Sequence, residues 1–253
     1  MIRLQNLTFQ YAQGQPIFRD FSWDVQRGET WAILGPSGCG KSTLLYLIAG
    51  LRFPAAGQVL VNGECISRPR PHTGLIIQEY GLLHWATVRQ NAQLGLRIRG
   101  FYGPDGTHAP ANFHASLDVD TWLDRLRLLP HAEKYPGQLS GGQRQRTAIA
   151  RTLALTPDLL LMDEPFSSLD APTREDLQNL TLELQTEQNL TLLIVTHTIE
   201  EAAILGKKIL LLGNPPNTYP QVIENPQAGS NDFRGSDTYV TICRDLRAKM
   251  ELS

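Results

Sequence analysis

The sequence predicts an α/β fold with a mainly parallel sheet, an N-terminal antiparallel β part and an inserted helical subdomain. Short apolar runs alternate along much of the chain with longer segments of helical spacing, and this alternation is typical of a parallel sheet covered by helices. Two β-type runs, 2–11 and 21–34, open the chain with no helical segment between them. The pattern turns helical over about 89–157, which indicates a subdomain inserted into the strand–helix core.

The elements of the core follow in order. An apolar strand is expected at 31–34, and the stretch LLYLIAGL predicts a helix that Gly50 ends. Further strands are predicted in the segments GQVLVNGE, TGLIIQEY, DLLLMDEP, LTLLIVTHT and KKILLLGN. Helices are predicted in APTREDLQNLTLELQTEQN, which is amphipathic, and in IEEAAILG.

Within the helical subdomain, the first helical stretch runs from about residue 88 to 132. A loop is predicted within it at GFYGPDGTHAP, because of its glycines and prolines. The segment LDVDTWLDRLRLL has helical spacing, and a further helix is expected over about 140–155, ending before Pro157. The residues after Gly213 predict only an irregular tail. We therefore expect one domain, 1–253, with its nucleotide-binding core in about 1–88 and 158–213, the helical subdomain in about 89–157 and the tail in 214–253.

Composition narrows the class of protein. The chain has 253 residues and a formal net charge of −2, whereas a sequence-independent nucleic-acid binder needs a basic excess; no nucleic-acid partner is expected. Its three cysteines are scattered and have no metal-ligand spacing. They predict no disulfide framework, which suits a protein of the reducing cytosol. The N-terminus is unlike a signal peptide and no apolar run approaches a membrane span. The sequence predicts a soluble protein that a partner would have to hold at any membrane.

The segment GPSGCGKS matches the phosphate-binding pattern G-x-x-x-x-G-K-[ST] in full, between a predicted strand and a predicted helix. In that setting the glycines let backbone N–H groups close around phosphate oxygens. Lys41 would supply positive charge to the phosphates, and the Ser42 hydroxyl would be a Mg²⁺ ligand; the alternative is a glycine-rich turn with a surface lysine. Cys39 is either reactive or a small filler. The expected nucleotide-binding residues are Gly35, Pro36, Ser37, Gly38, Cys39, Gly40, Lys41, Ser42 and Thr43.

The run LLLMDEP ends a buried strand on two carboxylates. Because ligands of open α/β sheets bind beyond the carboxyl ends of the strands, Asp163 is expected to hold Mg²⁺. Glu164 is then placed to orient and deprotonate an attacking water. The alternative is an acidic pair that caps the strand–helix turn.

The string LSGGQRQR opens a helix with a serine and two glycines, which is a second potential anion site. One nucleotide does not need two phosphate cradles on the same side. We therefore expect this segment to serve the γ-phosphate of ATP bound to another copy or a partner. The alternative is a plain N-capped helix with a glycine hinge. The residues concerned are Ser140, Gly141, Gly142 and Gln143.

Taken together, these motifs resemble the ATP-binding cassette family. The resemblance rests on GPSGCGKST, LSGGQ and LLLMDE, with a glutamine after one strand at Gln78 and a histidine after the last buried strand at His197. Order and spacing match over about residues 1–213. The resemblance implies an ATPase that uses ATP and Mg²⁺ and that sandwiches two ATP molecules between two copies.

The resemblance also implies roles for single residues. Tyr11 would stack on adenine, although a core aromatic beside Phe9 is the alternative. Gln78 would reach Mg²⁺ and the attacking water, Asp170 would lie in the loop that crosses the dimer interface, and His197 would lie beside the γ-phosphate. The predicted catalytic residues are then Glu164, His197 and Gln78, and the predicted metal ligands are Ser42, Gln78 and Asp163.

A finer resemblance points to ATPase subunits of importers for nitrate, sulfonate, taurine or thiamine-precursor-like solutes. It rests on IIQEYGLLHWATVRQNAQLGL, EPFSSLDAPTR and THTIEEAAILGKKILLL, and departs from that group at His84, where proline is usual. It implies a cytoplasmic subunit at the inner face of the membrane, paired as a homodimer or with a second ATPase subunit. Its further partners would be integral membrane permease subunits and, indirectly, a solute-binding protein. The alternative is the ATPase of a soluble assembly complex of the iron–sulfur type.

The stretch EYGLLHWATV after Gln78 contains four large apolar residues: Tyr80, Leu82, Leu83 and Trp85. They are either core residues or a docking groove for a short cytoplasmic helix of the membrane subunit, because large apolar anchors carry much of the energy of an interface.

Overall fold

The structure, a computed structural model, describes residues 1–12, 14–102, 118–230 and 232–251, and for Tyr102 only the backbone. Its strands are β1 (Ile2–Phe9), β2 (Phe18–Val25), β3 (Thr30–Leu34), β4 (Ala56–Val61), β5 (Glu64–Cys65), β6 (Thr73–Ile76), β7 (Leu159–Asp163), β8 (Thr191–Thr196), β9 (Lys208–Leu211) and β10 (Gln221–Glu224). Its α-helices are α1 (Lys41–Ile48), α2 (Val88–Tyr102), α3 (Asp120–Arg125), α4 (Gly141–Leu153), α5 (Ala171–Gln188), α6 (Ile199–Leu205) and α7 (Asp237–Glu251). The predicted α/β class is confirmed.

The N-terminal sheet is antiparallel, as the sequence predicts, with strand order β2-β1-β4-β5. The predicted β-type run over 21–34 is divided between two sheets, because the chain leaves this sheet after Val25 and enters the other sheet as β3, which contains the strand expected at 31–34. The turn between them includes Gly28 at a φ of 76°, a conformation that glycine adopts readily.

The second sheet has the order β10-β9-β3-β8-β7-β6, and every pair of neighbours except β10 and β9 is parallel. All residues of β3, β7 and β8 are buried, as is typical of parallel strands covered on both faces. Because these strands run in the same direction, the segments that follow them meet at one edge of the sheet.

The inserted helical region consists of α2, α3 and α4, joined by a buried apolar cluster that includes Val88, Leu123 and Leu153. The predicted helix over 140–155 is present as α4. The predicted loop GFYGPDGTHAP is wrong for its first three residues, because α2 continues through Gly100 to its end at Tyr102; residues 103–110 lie outside the described part of the chain. The limits of core, subdomain and tail stay a prediction.

The C-terminal tail is ordered into a strand and a helix, which corrects the prediction of an irregular segment. β10 adds an antiparallel edge to β9, and α7 packs Cys243 and Leu246 against Ala202 and Ala203 of α6. The sequence patterns of β10 and α7 are weak, because β10 is a short edge strand and only two residues of α7 are buried. Within the described residues, the structure has no helix that is both long and apolar enough to cross a membrane.

Candidate functional site

The glycine-rich segment between β3 and α1 is shaped by close contacts. A Cβ atom on Gly35 would lie 2.4 Å from the carbonyl oxygen of Leu212, and one on Gly40 would lie 2.4 Å from the Ile17 side chain. Gly40 also has a φ of 108°. Only glycine fits these two positions, and the chain then enters α1 with its first N–H groups free of helical partners.

The Lys41 ammonium is held by this loop. Its Nζ donates to the carbonyl oxygens of Gly35 at 2.8 Å and Pro36 at 2.9 Å, and the residue is only 7% exposed. Cys39 is buried as well, and burial raises the pKa of its thiol. Since a reactive cysteine needs a lowered pKa and some exposure, the geometry favours the interpretation of Cys39 as a small filler.

Asp163, at the end of β7, meets the first turn of α1. The Ser42 hydroxyl donates to Asp163 Oδ1 at 2.9 Å, and the Tyr46 hydroxyl lies 3.4 Å from Oδ2. Burial and the neighbouring charge of Glu164 raise the pKa of Asp163, while the hydrogen bonds from Ser42 and Tyr46 oppose that rise. A hydroxyl and a carboxylate placed together are hard oxygen ligands of the kind that Mg²⁺ prefers, so these two residues fit a Mg²⁺ site.

The three predicted catalytic residues converge on one carboxylate oxygen. Glu164 Oε2 lies 3.1 Å from His197 Nδ1, and Gln78 Nε2 donates to the same oxygen at 3.4 Å. Glu164 follows β7 with a φ of 45°, a strained conformation for a residue other than glycine that is concentrated at functional sites. Three strand ends that are far apart in the sequence therefore place their side chains together.

These residues line one cavity of about 620 Å³, a size suited to a small ligand. Its walls are formed by Tyr11, Ile17, Ser37, Gly38, Gly40, Lys41, Ser42, Thr43, Gln78, Glu164 and His197. Tyr11 is 44% exposed, its ring packs edge-on against buried Phe9, and its hydroxyl lies 3.1 Å from Thr43 Oγ1. The exposed ring argues against the alternative of a core aromatic.

The residues of LSGGQ lie elsewhere. None of Ser140, Gly141, Gly142, Gln143 and Asp170, all within the described ranges, lines that cavity. Ser140 Oγ accepts from the Gln143 N–H at 3.3 Å, and Gln143 Oε1 accepts from the Ser140 N–H at 3.0 Å, which is a capping box. A Cβ on Gly142 would lie 2.5 Å from the Thr173 side chain, so this glycine also permits close packing of α4 against α5. Asp170 is the N-cap of α5.

Comparison with known proteins decides the family. A family model described as ABC transporter matches residues 18–167. The taurine import ATP-binding protein TauB of Jannaschia sp. (strain CCS1) is 39% identical over 217 residues, which are 85% of this chain and 78% of that protein. The aliphatic sulfonates import ATP-binding protein SsuB of Bacillus anthracis is 37% identical over 209 residues, which are 83% of this chain and 78% of that protein.

The chain belongs to the ATP-binding cassette (ABC) transporter family. It is an ABC ATPase that binds and hydrolyses ATP. A dimeric ATP-binding cassette in a post-hydrolysis state bound to ADP and Pi matches its fold with a TM-score of 0.74 and 28% identity, over 88% of this chain and 98% of that chain. The structure of cbiO1 from Clostridium perfringens matches with a TM-score of 0.75 and 25% identity, over 99% of this chain and 97% of that chain.

Two residues of the ABC ATPase site were missed by sequence reasoning. Tyr46 reaches Asp163 because it lies four positions after Ser42, on the same face of α1; that spacing was readable in the sequence. Ile17 lines the cavity from the connection between β1 and β2, and no local pattern distinguishes it from an ordinary apolar residue.

Proposed function

We propose that this ABC ATPase drives uptake of taurine or a related sulfonate through membrane permease subunits, at the inner face of the membrane. The observation that carries the proposal is the convergence of Gln78 and His197 on Glu164 beside the glycine-rich loop. The import direction and the solute class rest on relatives described as taurine or aliphatic sulfonate import proteins.

The phosphates of ATP would bind at the glycine-rich loop. The backbone N–H groups around Gly38 and Gly40, together with the start of α1, supply donors and the positive end of a helix dipole. The Lys41 ammonium adds charge, after exchanging a loop carbonyl for a phosphate oxygen. Ser42 and Asp163, with Gln78 nearby, would hold Mg²⁺, whose contribution is to neutralise phosphate charge.

Glu164 is the proposed general base. Its carboxylate faces the cavity next to the loop, where it can accept a proton from a water positioned for attack. Gln78 Nε2 and His197 Nδ1 both approach its Oε2, which restrains the carboxylate. The remaining donors of Gln78 and His197 are then available to orient the water and the γ-phosphate.

The signature segment LSGGQ is proposed to act on a second copy. Ser140 is exposed at the N-terminus of α4 and does not line its own chain's cavity, so this helix end is available to the phosphate of ATP held by a partner. A matching cassette structure is a dimer, which supports this arrangement. Asp170, exposed at the start of α5, would lie in the same interface.

Tyr11→Ala is expected to raise the KM for ATP, because the exposed ring would no longer stack on adenine. Base–aromatic stacking is worth roughly 1–3 kcal/mol, which corresponds to a roughly 5- to 150-fold rise in KM. Tyr11→Phe is the matched control: it loses only the hydroxyl contact with Thr43 and should stay within about twofold of the wild type. An unchanged KM in Tyr11→Ala, measured by steady-state ATPase assay, would contradict the stacking role.

The apolar stretch after Gln78 divides into core and surface residues. Tyr80 and Leu82 are buried in the helical-region core, Leu83 is half-buried, and Trp85 is 76% exposed. The prediction of a docking groove is therefore wrong for Tyr80 and Leu82, and Trp85 is the residue free to anchor a partner. Arg151 donates to the backbone carbonyls of residues 80 and 81 at 2.7 and 2.6 Å, which ties this stretch to α4.

Reconstitution with the permease and a solute-binding protein tests the import function. The wild type should show taurine-dependent stimulation of ATPase activity and uptake into vesicles. Trp85→Asp should abolish both while the ATPase rate of the isolated subunit stays within about twofold, because a charge removes an apolar anchor at the interface.

Tyr219→Asp is the control, because Tyr219 is also a large aromatic residue and is 75% exposed, but lies outside this stretch. Normal uptake by Trp85→Asp would refute docking at this surface. A complex that responds to none of the sulfonates would refute the proposed solute class, and purification with soluble partners in place of a permease would favour the assembly alternative.

A further inference from the structure

Glu201 is a buried carboxylate close to the catalytic cavity but outside it. It lies in the first turn of α6, four residues after His197, and is 7% exposed. Burying a charged group costs free energy unless it is hydrogen-bonded. The partners of Glu201 therefore identify the part of the fold that its position depends on.

One side of Glu201 is held by a chain of hydrogen bonds that ends in the C-terminal tail. Gln178 of α5, 2% exposed, donates from Nε2 to Glu201 Oε1 at 3.2 Å. Arg234 donates from Nη2 to Gln178 Oε1 at 2.7 Å. Because a guanidinium has only donors, Arg234 requires the amide oxygen on its own side and so directs the amide N–H₂ towards Glu201.

The other side of Glu201 faces the loop that carries His197. The Thr198 hydroxyl donates to Glu201 Oε2 at 3.5 Å, and hydrogen bonds from Thr196 and Gln178 oppose the rise that burial causes in the pKa of Glu201. The hydroxyls of Thr196 and Thr198 lie 3.1 Å apart, and the Thr198 N–H donates to Thr196 Oγ1 at 3.1 Å. The two residues that flank His197 are thus tied to each other and to Glu201.

We propose that Glu201 is a positioning residue for His197. Arg234 of the C-terminal tail supports this role, because it orients Gln178, which in turn holds Glu201. The proposal rests on the role proposed above for His197. Rotation of the His197 loop would break the contact with Thr198 and leave a buried carboxylate short of partners, which is costly. The network therefore restrains the loop in the orientation that sets His197 Nδ1 3.1 Å from Glu164.

The test is the ATPase kinetics of Glu201→Gln, alone and combined with His197→Ala. Alone, the change should lower kcat about tenfold and leave the KM for ATP within about twofold, since it disturbs positioning and not ATP binding. In the His197→Ala background the same change should have less than about a twofold effect, because residues that act through one another are not additive. Arg234→Gln, at a partly exposed position, should lower kcat in the same direction.

Glu200→Gln and Arg247→Gln are the matched controls, since these two residues form an exposed ion pair on the adjacent surface; both should keep the wild-type kcat. Thermal unfolding is measured for every variant, and if Glu201→Gln does not fold, Arg234→Gln decides. A wild-type kcat in folded Glu201→Gln or Arg234→Gln, or an equal loss with and without His197, overturns the inference. If His197→Ala alone leaves kcat unchanged, the proposed role of His197 fails instead.

Discussion

Glu164→Gln should lower the rate of ATP hydrolysis by a factor on the order of 10² or more while ATP binding survives. The change preserves the shape of the side chain and its contacts with Gln78 and His197, but an amide does not accept the proton of the attacking water. With hydrolysis blocked, ATP should hold the two copies together. The ATPase rate, the Kd for ATP and the ATP-dependent dimer fraction by size-exclusion chromatography are the measurements.

Glu79→Gln is the matched control for this prediction, because Glu79 is exposed and does not line the cavity. It should keep the wild-type rate. Full activity in Glu164→Gln would show that another group removes the proton, whereas loss of ATP binding would show that Glu164 shapes the nucleotide pocket.

Lys41→Ala and Ser140→Arg should each lower ATPase activity by a factor on the order of 10², and a mixture of the two variants should recover part of it. Lys41→Ala removes the ammonium that would bind the phosphates in one copy, and Ser140→Arg obstructs the signature helix of the other. In the mixed dimer one of the two composite sites pairs an intact loop with an intact signature segment. Activity and ATP-driven pairing in the mixture should therefore exceed those of either variant alone.

The substitution at Ser140 also removes an N-cap, which by itself costs about 1 kcal/mol of stability. Ser140→Ala separates the two effects, because it removes the capping hydroxyl without obstructing the helix end. Wild-type turnover and dimerisation in Ser140→Arg would refute the proposal that LSGGQ acts on ATP bound to a second copy. A mixture that is no more active than its components would refute it as well.

The sequence alone determined the class of fold and most of the residues of the candidate site. Continuous apolar runs predicted β3, β7 and β8, and the residues after such strands must meet at one edge of a parallel sheet. The positions of Lys41, Asp163 and His197 could therefore be predicted without coordinates. Gly40, which both a close approach and a positive φ require to be glycine, is part of the glycine-rich motif that the sequence already shows.

Only the tertiary structure decided which residues join these local pieces. The contacts from Arg234 to Gln178 and from Gln178 to Glu201 connect residues 56 and 23 positions apart, and no periodic pattern marks them. The same is true of Tyr80, which is buried although Trp85, five positions later, is exposed, and of the tail, whose helix buries only two residues. Local periodicity reports which face of an element is covered, whereas the identity of the covering residue depends on packing between distant segments.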